Sequence, residues 1–180
     1  MTSLDETRAF IPLKIAVLTI SGTRQLADDW SGDILVERLG NAGHELAEHA
    51  IVTDDIEAIR AKVAVWIGDP EVDVVVTTGG TGFVSRYVTL EAVEPLFEKR
   101  MDGFAIVFHR ISYEKIVTST IQSRATAGVA GDTCIFCVPG SPGACKDAWD
   151  EILSHQLDSR TRPCNFVEIM QWARRRHPTQ

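Results

Sequence analysis

Between Lys14 and Thr78 the chain alternates short continuous apolar runs with apolar positions spaced as on one face of a helix. Lys14–Ile20 (Lys-Ile-Ala-Val-Leu-Thr-Ile) is rich in β-branched residues and stops at Ser21-Gly22, which predicts a buried first strand. From Ser31 the spacing turns helical: Ile34, Leu35 and Leu39 share one stripe, Ser31 is the expected N-cap, and Gly40 and Gly43 mark the end. Glu45–Val52 reads as a second strand. Asp55–Ile67 repeats the helical pattern through Ile56, Ile59, Val63, Trp66 and Ile67, and Gly68-Asp69-Pro70 closes it. Val72–Thr78 is the third strand.

Strand, helix, strand, helix, strand predicts a βαβαβ unit, with a mostly parallel central sheet covered by helices on both faces. The chain is therefore expected to be an α/β protein with three layers. Farther on, Thr89–Phe97, Asp102–Ile111 and Pro142–Leu157 read as helices and Thr133–Val138 as another strand. No linker, repeat or low-complexity segment divides residues 1–180, so one domain is expected.

Composition narrows the function more than the fold. The 180 residues carry 18 basic and 25 acidic side chains, a net charge of −7 that disfavours sequence-independent nucleic-acid binding. The longest stretch without a charge is Thr133–Cys145, 13 residues broken by two prolines and two glycines, so no bilayer-spanning segment is predicted. The N-terminal residues contain no apolar run resembling a signal peptide, and the expected compartment is the cytoplasm. There the four cysteines would remain reduced. Cys134 and Cys137 have Cys-x-x-Cys spacing, but on a strand positions i and i+3 face opposite sides, which argues for packing and against a shared metal. The histidines at 44, 49, 109, 155 and 177 show no ligand spacing, and Arg174-Arg175-Arg176 reads as a solvated tail.

In open α/β sheets ligands bind beyond the carboxyl ends of the strands. Three such places are unusual: Thr19-Ile20-Ser21-Gly22 after strand one, Thr78-Gly79-Gly80-Thr81-Gly82 after strand three, and Pro139-Gly140-Ser141-Pro142-Gly143 after the late strand. Three glycines in four residues allow positive φ angles and let backbone N–H groups converge on an anion. Ser141 and Pro142 suit the cap and first position of the following helix, where free N–H groups favour negative charge. Two neighbouring cradles fit a ligand with more than one anionic group, and phosphoryl or nucleotidyl transfer as a class. Such chemistry relies on Mg2+ and charge neutralisation. The carboxylates and cation near this edge are Asp54, Asp55, Asp29 and Arg86; the alternative for each is a helix cap or a surface charge.

These segments resemble the MoaB/MogA family of molybdenum cofactor biosynthesis proteins, from about residue 11 to 166. The likeness also rests on Asp29-Trp30-Ser31-Gly32, on 118–124 (Thr-Ser-Thr-Ile-Gln-Ser-Arg) and on 160–166 (Arg-Thr-Arg-Pro-Cys-Asn-Phe), the last two being MoaB-like. The resemblance implies a three-layer α/β/α domain assembling as a homotrimer or homohexamer, alongside other cofactor-biosynthesis enzymes. It implies molybdopterin as ligand and a Mg2+-dependent transfer of AMP from ATP to the molybdopterin phosphate. Carried over by position, 79–82 and 140–143 hold the phosphate-bearing and pterin parts, with Ser21, Thr78, Pro139 and Ser119 nearby. Asp54 or Asp55 supplies the catalytic carboxylate, Asp54 being the expected metal ligand.

One position departs from the family. Where relatives read Arg-Asp-Val-Thr-Pro-Glu-Ala, this chain has Arg86-Tyr87-Val88-Thr89-Leu90-Glu91-Ala92. A phenol with an ordinary pKa near 10 is a poor ligand for a hard cation at neutral pH. Two readings thus stay open: an adenylyltransferase in which Asp54 or Asp55, with Asp29 or Glu91, holds Mg2+, and a protein that binds molybdopterin or a nucleotide without turnover. A generic nucleotide-binding domain is a third.

Overall fold

The structure is a computed structural model that describes residues 3–176. In chain order the elements are β1 (Ser3–Leu4), β2 (Lys14–Ile20), α1 (Trp30–Asn41), β3 (Glu45–Val52), α2 (Ile56–Ile67), β4 (Val74–Thr78), α3 (Thr89–Val93), β5 (Lys99–Arg100), α4 (Asp102–Ile116), β6 (Thr126–Ala130), β7 (Thr133–Val138), α5 (Pro142–Ala148), α6 (Ser154–Gln156), β8 (Thr161–Arg162) and α7 (Phe166–Arg176). The main sheet has the order β3-β2-β4-β7-β6-β5. Its first four strands are parallel, and β6 and β5 add an antiparallel edge. β1 and β8 pair separately.

Side-chain alternation along the strands divides the interior into two layers. Ile15, Val17, Val74, Val76, Cys134 and Phe136 face one side, against Leu35 and Leu39 of α1, Phe104 and Phe108 of α4 and Cys145 and Ala148 of α5. Ala16, Leu18, Val75, Ile135 and Cys137 face the other, against Ile59, Val63 and Trp66 of α2 and Leu90 and Val93 of α3. The three-layer α/β expectation holds, and so does the separation of Cys134 from Cys137 onto opposite faces. Burial pushes the Cys137 thiol up to about 12.

Register places the candidate site. Thr19 of β2 lies beside Thr78 of β4, and Thr78 beside Val138 of β7. The loops that follow these three strands therefore leave the sheet at one level.

Several expectations need correction. The N-cap of α1 is Asp29, whose carboxylate accepts from Gly32 N, and Ser31 is buried inside the first turn. The helix expected over 89–97 ends as α-helix at Val93, with a 3₁₀ turn Glu94–Leu96; Pro95 has no N–H to continue the ladder. The helix expected to stop at Ile111 runs on to Ile116, because neither Gly nor Pro lies between 111 and 116. From Pro142 the helical path passes through a π turn, Trp149–Leu153, before α6. β6 (Thr-Ala-Gly-Val-Ala) carried too few large apolar residues to read as a strand; a Cβ on its Gly128 would lie 2.3 Å from the Phe97 ring. The backbone of 174–176 continues α7, while the side chains of those arginines and all of His177 lie outside the described residues.

Candidate anion-binding cleft

At the carboxyl ends of β2, β4 and β7 the three loops enclose a cleft of about 480 Å3. The glycine loop makes its inner wall. Gly79 and Gly80 have φ angles of +98° and +62°, a region that side chains other than glycine rarely occupy. A Cβ on Gly79 would meet Ile20 O at 2.3 Å, and one on Gly140 would meet Gly79 Cα at 2.7 Å. The two glycine loops thus touch backbone to backbone. Thr89 anchors the turn, giving its hydroxyl to Gly79 O at 2.8 Å and its N–H to Gly80 O at 3.0 Å. Thr78 gives its hydroxyl to Pro139 O at 3.2 Å, with the Cys145 sulfur 3.1 Å away. Burial raises that thiol to about 11, so it is neutral at physiological pH.

The loop after β2 is folded by Ser21, whose hydroxyl oxygen accepts from Thr23 N and Arg24 N at 3.3 and 3.2 Å. This brings Arg24 into the cleft, where its Nη1 donates to the Ser31 hydroxyl at 3.4 Å; Ser31 in turn donates to Gly140 O at 3.4 Å. The outer part of the glycine loop is held by Arg124, which donates to Thr81 O at 2.6 Å, Gly82 O at 3.1 Å and the Glu91 carboxylate at 2.6 Å. That guanidinium lowers the Glu91 carboxyl below its ordinary range.

Of the residues expected at the site, Ser21, Thr78, Gly79, Gly80, Thr81, Gly82, Pro139, Gly140, Ser141 and Asp54 line the cleft. Ser141 also caps α5, as expected, accepting from Ala144 N at 3.2 Å. Four others do not line it. Pro142 and Gly143 form the first turn of α5, behind the loop. Ser119 lies on the exposed 3₁₀ turn Val117–Gln122, and Gln122 and Ser123 face the cleft instead. Asp55 is committed to capping α2, accepting from Ala58 N at 2.8 Å. Sequence reasoning missed Arg24 and Ser31 as lining residues; the signal was their place in the polar loop and first helical turn after strand one. Asp29, offered as a metal ligand, is fully buried beneath the cleft, bonded to the Thr19 hydroxyl, Gly32 N and His49 Nε2.

Asp54 differs from these capped carboxylates. Its Oδ1 is buried with no hydrogen-bond partner, and a Cβ on Gly80 would lie 3.1 Å from it. Magnesium is held by one or two carboxylates together with substrate phosphates and water. A lone unpartnered carboxylate oxygen in an anion cleft fits that arrangement. No group of three or more His, Cys, Asp or Glu able to hold a metal by itself occurs among the described residues. Tyr87 also lines the cleft: its hydroxyl accepts from Arg86 Nη2 at 2.9 Å, and the guanidinium lies 4.9 Å from its ring centroid.

Fold and cleft together define the class, a doubly covered α/β domain with a candidate anion-binding cleft at the carboxyl ends of its parallel strands. The chain belongs to the family described as a probable molybdopterin-binding domain, which matches residues 16–159. It is 50% identical over 157 residues to molybdenum cofactor biosynthesis protein B of Escherichia coli (strain K12), covering 87% of this chain and 92% of the relative. The crystal structure of a molybdenum cofactor biosynthesis protein B superposes with a TM-score of 0.85 at 36% identity, covering 93% of this chain and 99% of that one. The tungsten cofactor synthesizing protein MoaB from Pyrococcus furiosus gives 0.71 at 32% identity, covering 91% and 98%. The resemblance to the MoaB/MogA family is thereby borne out.

Asp29 supplies a direct test of how the cleft is braced. Burial raises its carboxyl pKa, but the hydrogen bonds from His49, Thr19 and Gly32 outweigh this and leave it below the ordinary value. A depressed folded pKa contributes stability above the unfolded pKa of about 3.9, and that contribution is lost as pH falls through the folded value. Asp29→Asn should therefore cost about 1–3 kcal/mol at neutral pH. The difference from the unsubstituted protein should shrink below about pH 4 in urea melts; a pH-independent difference would contradict this role.

Proposed function

We propose that the cleft binds molybdopterin during molybdenum cofactor biosynthesis, its phosphate on the glycine loops and its pterin along Pro139–Ser141. The observation that carries this reading is the convergence of three strand-end loops, with paired glycine cradles and cationic side chains, in a chain of this family. Backbone N–H groups at Gly80–Gly82 suit phosphate oxygens because they add little side-chain bulk and need no reorganisation when charge arrives. Arg124 keeps that loop in place by binding its carbonyls, while the Gly79 N–H is taken up by Val138 O at 3.2 Å, so the ligand is left to the N–H groups of Gly80–Gly82.

The reaction that goes with this ligand is adenylylation. A molybdopterin phosphate oxygen bonds to the α-phosphorus of ATP, the bond to the bridging oxygen breaks, and pyrophosphate leaves. Asp54 would hold the required Mg2+, which supplies neutralisation of phosphate charge. The chain's own part is positioning: two cradles in backbone contact set two phosphorylated molecules side by side. Tyr87 favours a second reading, a protein that binds molybdopterin or a nucleotide without turnover, because the cleft lining offers a phenol and Asp54 but no second carboxylate.

Incubation of the purified protein with molybdopterin, ATP and Mg2+ separates the two. Adenylylated pterin and pyrophosphate establish the transferase, and Asp54→Asn should then reduce turnover at least 100-fold. Saturable molybdopterin binding with no product establishes the binding protein, and Tyr87→Asp should then confer turnover. No binding of either ligand would remove both.

The same reading includes self-assembly as a homotrimer or homohexamer, work beside other cofactor-biosynthesis enzymes, and residence in the cytoplasm. For assembly the support is the outward face of α4, where Ile106 is 70% exposed, Tyr113 54% and Ile116 48%, with Ile121 at 72% just beyond. These side chains flank the exposed Arg110–Glu114 pair, and a group of large exposed apolar residues of this kind marks an interface. Light scattering should give three or six chains per particle, and Ile106→Glu should yield monomers; a monomeric parent protein would overturn the assembly.

A further inference from the structure

We propose that Arg24 and Arg86 form a clamp of two guanidinium groups for a ligand with two anionic groups, and that the clamp holds such a ligand without a divalent cation. The proposal rests on the reading of the cleft as a phosphate-binding site. Many basic side chains elsewhere are paired with carboxylates, among them Arg38 with Asp150, Lys62 with Glu48 and Arg124 with Glu91. Arg24 and Arg86 both line the cleft, on different loops, and neither makes an ion pair among the described residues. Each instead donates to a neutral hydroxyl, Arg24 to Ser31 at 3.4 Å and Arg86 to Tyr87 at 2.9 Å. A hydroxyl fixes the direction of a guanidinium without neutralising it, and most of its five donors stay available for phosphate oxygens.

The charge within the cleft agrees. Its lining holds two arginines and one carboxylate, Asp54, so it carries 2 − 1 = +1 inside a chain of net charge −7. Tyr87 gains a role from this arrangement. An aspartate at 87 would sit beside Arg86 and take its charge, leaving a metal ion to gather the phosphates. The phenol orients Arg86 and leaves the charge for the ligand. Tyr87 is thus a positioning residue that shifts the site from cation-bridged to direct arginine recognition of anions.

Calorimetric titration with pyrophosphate, first in EDTA and then in Mg2+, tests this on the full chain. The expected result is binding in EDTA that Arg24→Ala and Arg86→Ala each weaken at least tenfold, in proteins whose melting temperature confirms folding. Tyr87→Phe should weaken it only a few-fold, whereas Tyr87→Asp should weaken it in EDTA as much as Arg86→Ala and recover when Mg2+ is added. Pyrophosphate binding that requires Mg2+ in the unsubstituted protein, or that neither arginine variant changes, would overturn the clamp. Molybdopterin titrated in parallel separates the two levels. Molybdopterin binding with arginine-independent pyrophosphate binding sinks the clamp alone. Arginine-dependent pyrophosphate binding without molybdopterin binding supports the clamp and sinks the ligand assignment, and no binding of either sinks both.

Discussion

The cleft depends on the parallel register of three strands. Because Thr19, Thr78 and Val138 stand side by side, the loops after β2, β4 and β7 begin at the same height and have to share one space. They share it only because the contact between the two glycine loops is backbone on backbone. A single methyl group on Gly140 would run into Gly79 Cα at 2.7 Å, and one on Gly79 into Ile20 O at 2.3 Å. Sheet pairing sets the level of the loops and the missing side chains set their spacing; the polar chemistry is arranged on that base.

Two braces hold the arrangement from opposite sides. Below, buried Asp29 joins β2 through the Thr19 hydroxyl, β3 through His49 and the start of α1 through Gly32 N. A carboxylate so placed is costly to bury and is retained because every neighbour donates to it. Above, Arg124 ties the rim of the glycine loop to α3 through Glu91, and its guanidinium lies 5.5 Å from the centroid of the exposed Phe83 ring. Neither group needs to touch a ligand. Their effect is to keep the cradle in one geometry, so that binding does not have to order the loops.

The sequence showed the parallel core clearly, since Val74–Thr78 and Lys14–Ile20 are continuous apolar runs buried on both faces, the pattern such strands require. It showed the three loops for a related reason: glycine clusters directly after those strands have few other uses. It was silent on β6, where small residues pack under Phe97, and on α7. Among carboxylates, the residue pattern by itself could not separate Asp54 from Asp55 or Asp29, because an aspartate next to a helix start serves equally as cap or ligand; the choice of Asp54 as metal ligand came with the family resemblance. Only the three-dimensional arrangement shows that Asp29 and Asp55 cap helices while Asp54 keeps an unpartnered oxygen at the cleft. Arg24 escaped notice because its relevance comes from the turn folded by the Ser21 hydroxyl, a local bond that leaves no periodic trace.

The central claim is that three loops act as one binding surface. Hydrogen–deuterium exchange of the whole protein with and without saturating molybdopterin tests it most directly. The account predicts slower exchange together in residues 19–24, 78–87, 122–124 and 139–141, with little change on the outer face of α4. Protection confined to one loop, or centred away from the carboxyl ends of β2, β4 and β7, would contradict it.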